Sequence, residues 1–156
     1  MKIELMSLDV GDARIGVALG ESGVRIAVPY RTLEVDGHEI AHIFGAIEAK
    51  KIRILVVGRP IDQKGRETEQ TEKTDAFVQR MVEYHAAHTE VPDFELVFWG
   101  ESGTSILAED ILKKAKRNYS KGDIDMQAAA VILQDFMESR RFFDLVKKVE
   151  KRLGKV

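Results

Sequence analysis

The apolar residues of this chain change period once, and that change restricts the available folds more than any other feature. Ile3 to Asp9, Arg14 to Leu19 and Ile26 to Leu33 read as three strands. Gly11-Asp12-Ala13 separates the first two, and a turn holding Gly20 and Gly23 separates the second and third. Turns this short make an antiparallel meander. Pro29 marks the third run as an edge strand or a bulge, because it has no N–H for a ladder. The period then becomes helical. Ile40, Ile43, Phe44 and Ile47 recur at three and four within a helix expected over Gly37 to Lys50. Ile52 to Val57 is nearly all apolar, as a buried parallel strand requires. Residues 59–73 read as a long charged loop leading into a helix that ends near His88, with Phe77, Met81, Tyr84 and His88 on one stripe. Phe94 to Trp99 is a further strand. Thr104 to Arg117 is a helix with Ile106, Leu107, Ile111 and Leu112 expected inward, and Asn118 to Gly122 is a loop. Asp125 to Phe143 is a helix carrying Met126, Ala129, Ala130, Leu133 and Met137, and its stripe continues through Val146, Val149 and Leu153. The order β-β-β-α-β-α-β-α-α belongs to the α/β class: a mixed five-stranded sheet whose first, fourth and fifth strands are parallel, with helices on its faces. The expected organisation is one domain over residues 1–139, with residues 140–156 as its basic helical extension.

Composition removes several function classes. The 156 residues include no Cys, which excludes disulfides, thiolate zinc sites and cysteine nucleophiles and suits a cytoplasmic location. The longest unbroken apolar run, Ala128 to Leu133, is far short of a membrane span, so no membrane partner is expected. The net charge is -2, which argues against a uniformly basic nucleic-acid binder. The distribution is uneven, however. Residues 1–112 hold 12 basic and 20 acidic side chains, and residues 113–156 hold 12 basic and 6 acidic. The basic segment includes Lys113, Lys116, Arg117 and Lys121, which fits either a polyanion partner or solvated helix faces.

Sites in open α/β sheets gather at the carboxyl ends of parallel strands. The first strand delivers Asp9 there, the fourth Gly58-Arg59, and the fifth Trp99 followed by Gly100 and Glu101. The last long helix begins near Asp125, and Ala128-Ala129-Ala130 would let it lie close to the sheet. Three carboxylates meeting at one edge repel unless a cation neutralises them. An all-oxygen set suits Mg²⁺ or Mn²⁺, and two such ions about 4 Å apart can drive phosphodiester cleavage. Each acid also has a plain reading. Asp9 can close a turn, Glu101 can be a loop acid, and Asp125 can be a helix cap for which Asp123 competes. Asp12 reads as a turn residue and Trp99 as strand-end packing. The pairs His38/His42 and His85/His88 lack a third ligand. Lys64 and Arg66 lie on the loop at the active edge, suited to a phosphate backbone or simply to solvent.

Three segments carry a family resemblance. Leu8-Asp9-Val10-Gly11-Asp12-Ala13-Arg14-Ile15-Gly16-Val17-Ala18 resembles the opening motif of the YqgF family, also called RuvX. Val56-Val57-Gly58-Arg59-Pro60 is similar to its second motif, where an apolar residue is more usual than Arg59. Asp125-Met126-Gln127-Ala128-Ala129-Ala130-Val131-Ile132-Leu133 resembles its last. The resemblance spans roughly residues 3–138. It implies an RNase H-like fold, Asp9, Glu101 and Asp125 as metal-binding and catalytic carboxylates, and nuclease action at the 5′ end of pre-16S ribosomal RNA. Resolution of four-way DNA junctions is the alternative it also implies, and that activity calls for a two-fold dimer. Whether the chain is a monomer or a homodimer stays open. The family's third motif normally reads Asp-Glu-Arg. Here Gly100 and Ser102 flank Glu101, and the altered motif also fits an RNA- or ribosome-binding module without turnover. Arg14 and Arg59 are the candidates to supply the missing cation. The expected nucleic-acid contacts are Arg14, Arg59, Lys64, Arg66, Lys113, Lys116, Arg117 and Lys121.

Overall fold

A computed structural model describes residues 2–101, 104–115 and 118–154, and the side chains of residues 101, 104 and 105 also lie outside that description. The first three apolar runs form β1 (Glu4–Val10), β2 (Arg14–Glu21) and β3 (Val28–Glu34), an antiparallel meander. After α1 (Glu39–Lys50), β4 (Ile52–Pro60) pairs in parallel with β1. After α2 (Glu69–Ala87), β5 (Glu95–Glu101) pairs in parallel with β4. The sheet order is β3-β2-β1-β4-β5. Then come α3 (Thr104–Lys114), α4 (Lys121–Met137) and α5 (Arg140–Leu153). This is the mixed sheet expected from the strand pattern. Pro29 lies on the edge strand, where the β2–β3 register shifts between Val17 and Ala18. The missing N–H therefore falls at an irregularity on an edge, where it costs no regular ladder bond.

Both faces of the sheet are covered. Met6, Leu8 and Val10 of β1 and Leu55 and Val57 of β4 pack under Ile43, Phe44 and Ile47 of α1 and Phe77, Val78 and Met81 of α2. On the other face, Leu5, Ala18, Ile54 and Val56 pack under α4 and α5 through Ala129, Ile132, Leu133, Phe136, Phe142 and Val149. Two covered faces explain why β4 reads as a continuous apolar run.

Four helix expectations change. First, α2 starts at Glu69, inside the stretch expected to be loop, because Thr68 and Thr71 form a capping box. Second, α4 starts at Lys121, not Asp125, because Ser120 caps it and Asp123 completes the box. Third, the helix expected over Asp125 to Phe143 is two helices. The Ser139 hydroxyl accepts from the Phe142 N–H and starts α5. Fourth, α3 does not turn its full stripe inward. Ile106 is 78% exposed and Leu107 49%, while Ala108 and Leu112 are buried. The sheet face is already occupied by α4, so α3 rests on α4 through a narrow strip.

Candidate active site

Asp9 sits one residue before the end of β1, opposite Gly16 of β2. Along β1, Leu5 and Ser7 face α4, and alternation puts Asp9 on that face too. The first turns of α4 cross this position because the main chain permits an unusually close approach. A Cβ at Gly16 would lie 1.9 Å from the Asp125 carbonyl oxygen, and one at Gly58 would lie 2.4 Å from Ile132 Cδ1. At Gly16 only glycine leaves room for helix backbone at such a distance, while at Gly58 the missing Cβ makes room for the Ile132 side chain. Two hydrogen bonds pin the helix in place. The Ser7 hydroxyl donates to the Ala129 carbonyl at 2.6 Å, and the Thr32 hydroxyl donates to the Gly122 carbonyl at 2.7 Å.

This packing brings Asp9 and Asp125 together. The Asp9 carboxyl is pushed up to about 6, first by burial and then by the adjacent Asp125 charge. Arg14, at the start of β2, donates from Nε to Asp125 Oδ2 at 2.6 Å. The third expected acid, Glu101, ends β5 with its backbone paired to Pro60. Its side chain lies outside the described residues, as do Ser102 and Gly103. Among the described residues, no group of three His, Asp or Glu side chains is close enough to hold a metal.

The expected nucleic-acid contacts divide. Arg14 is at the site, paired to Asp125. Arg59 faces the other way, over α2, and is committed there. Its Nε donates to Asp75 Oδ1 at 3.1 Å, its Nη2 donates to Asp75 Oδ2 at 2.9 Å, and Nη2 also pairs with Glu67. These bonds hold its proton more firmly still. Arg66 donates to Asp62 Oδ2 at 2.8 Å, and the same aspartate accepts the Lys64 and Arg66 N–H groups at 2.8 Å each. These bonds hold the Asp62 carboxyl below its ordinary value, the Arg66 N–H contributing most. Residues 62–66 are therefore a turn organised around Asp62, with Lys64 exposed at its tip. Lys113 is exposed and 3.9 Å from Glu109, and Lys121 is exposed at the first position of α4. Lys116 and Arg117 lie outside the described residues.

The plain readings of other residues hold. Asp12 is a turn residue whose carboxylate pairs with Lys73 at 3.2 Å. Trp99 stacks edge-on against Phe136 and donates to Asp135 Oδ2 at 2.7 Å. His85 stacks on Phe44 and His88 on Tyr84, both in aromatic packing. Sequence reasoning passed over Gly16 as a site residue. The available signal was a glycine inside a strand, which marks close backbone approach.

Comparisons with known proteins identify the family and the fold. The RuvX family model, described as a Holliday junction resolvase, matches residues 3–139. A protein of Chloroflexus aggregans bearing the name "Putative pre-16S rRNA nuclease" is 36% identical over 141 residues, covering 88% of this chain and 94% of its own. A protein of the same name from Synechocystis is 35% identical over 144 residues, covering 90% of each chain. Among solved structures, RuvC of T. thermophilus in complex with a Holliday junction substrate superposes with a TM-score of 0.56 at 12% identity, covering 89% of this chain and 96% of that one. That likeness establishes the RuvC-like, RNase H-like fold. No described helix is long and apolar enough to cross a membrane. On the family match and the identity across most of its length, the chain belongs to the RuvX family of nucleases.

Proposed function

We propose that this chain is a divalent-metal-dependent endonuclease that cleaves phosphodiester bonds in precursor ribosomal RNA, at the 5′ side of 16S. The observation that carries the reading is the packing of Asp9 against Asp125 at the carboxyl edge of the parallel strands, permitted by Gly16. The donor set fits a hard cation. It is all oxygen, and the burial and neighbouring Asp125 charge that push Asp9 up to about 6 disfavour an unpaired carboxylate there, which a bound cation would offset. Asp9 and Asp125 would hold Mg²⁺ or Mn²⁺, with Glu101 as the third carboxylate at the end of β5, the parallel strand on the far side of β4. Bound divalent ions supply water activation and charge neutralisation at the leaving oxygen. The protein's part is to present the carboxylates on rigid elements. β1 fixes Asp9 and α4 carries Asp125.

The pre-16S substrate is supported by the names of relatives at 35–36% identity. The description of the family model favours a second reading, cleavage of four-way DNA junctions. One assay separates them. The purified chain is given a pre-16S leader RNA and a four-way DNA junction, each with Mn²⁺ and with EDTA. We expect cleavage of the RNA that requires Mn²⁺ and is lost in Asp9→Asn and Glu101→Gln. Cutting of the junction alone would favour the second reading. Cleavage in EDTA, or by Asp9→Asn at the parent rate, would overturn the carboxylate assignment. Binding of RNA without any cleavage would favour a module without turnover.

A further inference from the structure

Arg14 and Gly16 are alternate residues of β2 and share its α4 face. The same helix backbone that sits over Gly16 carries Asp125, and the Asp125 carboxylate reaches back to Arg14 Nε at 2.6 Å. The pair is thus anchored by main chain at both ends, unlike two flexible surface side chains meeting by chance. Arg14 is 32% exposed and Asp125 21%, so the contact lies at the rim of the site. The guanidinium uses only Nε for this bond. Among the described residues its two Nη groups have no hydrogen-bond partner, and their N–H donors form the fork that suits phosphate oxygens.

We propose that Arg14 is the built-in counter-cation of the carboxylate pair, which a divalent cation must displace from Asp125 before Arg14 can turn to a substrate phosphate. The inference rests on the reading of Asp9 and Asp125 as cation ligands. A fixed positive charge on an Asp125 oxygen opposes the arrival of a second cation at the same carboxylate. It also offsets part of the Asp9–Asp125 repulsion when no divalent cation is bound. Arg14 is then a positioning residue that imposes an order: cation first, nucleic acid second.

The test is calorimetric titration of Mn²⁺ into the full chain without nucleic acid, for the parent, Arg14→Gln and Arg14→Lys. Removing the charge should tighten Mn²⁺ binding about five- to tenfold, an estimate for a partly screened charge at the rim of the site. Keeping the charge in Arg14→Lys should hold affinity within about twofold of the parent. A residue that only shaped the site would weaken binding when removed. Equal or weaker binding by Arg14→Gln, with the parent binding normally, overturns the inference and leaves the metal reading intact. Failure of the parent to bind Mn²⁺ overturns both. Circular dichroism checks folding, and Arg14→Met serves as the neutral variant should the Gln variant unfold.

Discussion

Among the described carboxylates, Asp9 has the environment that differs most from that of an exposed one. Its folded value of about 6 stands against an ordinary 3.8, raised by burial and by Asp125. A raised acid favours the fold in its protonated form. Its stabilising contribution is complete below about 3.8 and is lost as pH rises through about 6. At pH 7 the ionised group therefore costs the ion-free fold about 3 kcal/mol at most. Asp9→Asn should stabilise the chain in EDTA at pH 7 by about 1–3 kcal/mol and flatten its stability between pH 4 and 7. Urea titrations at several pH values check this, and a variant no more stable than the parent at pH 7 would refute the coupling. Mn²⁺ should stabilise the parent and have little effect on the variant. Gly16 is the other decisive residue. Gly16→Ala places a Cβ 1.9 Å from the Asp125 carbonyl oxygen, so α4 must move. We expect a loss of about 3 kcal/mol or more, with weakened Mn²⁺ binding. Thermal unfolding and Mn²⁺ titration read the two effects separately.

At the scale of elements, charge is spent on structure where the sequence suggested ligand binding. Arg59 ties the end of β4 to Glu67 and to Asp75 of α2, so it secures the connection between these elements. Arg59→Ala should raise hydrogen exchange across residues 61–68 and cost about 1–3 kcal/mol, since it breaks a bidentate pair. Unchanged exchange in that stretch would show the connection to be held without Arg59, by the Asp62 turn and the Thr68–Thr71 capping box. The last helix shows the converse. From its charge, α5 is a basic tail, yet Phe142 and Val149 are each 1% exposed in the core. Deleting residues 141–156 would therefore uncover the sheet, and a loss of RNA affinity would not report on charge. Exposed Lys147 and Lys151 test the tail properly. Lys147→Glu with Lys151→Glu should leave stability within about 0.5 kcal/mol and weaken RNA binding, with a shallower salt dependence. Unaltered RNA affinity would remove α5 from the binding surface.

At the scale of the whole molecule, the order and direction of the strands were legible in the apolar period. A strand's period of two and a helix's period near 3.6 are local properties of the backbone. Hairpin-length turns then leave little choice of pairing. Asp9 and Asp125 were legible as candidates because strand ends and small-residue helices have known places in such sheets. What the period could not give was competition for surface. Ile106, Leu107 and Ile111 repeat at helical spacing, but α4 already covers the sheet face that would have buried them. Partner choice among charges was equally hidden. Arg14 and Arg59 are the same residue type near the same edge, and opposite side-chain faces send one to Asp125 and the other to Asp75. By itself, then, the sequence determined the alternation of elements and the supply of carboxylates, because each depends on neighbours a few positions away. The tertiary structure decided which acids meet, which arginine faces them and how close the helix comes. Those depend on contacts across more than a hundred residues, such as Asp125 over Gly16, which are settled only when the layers pack.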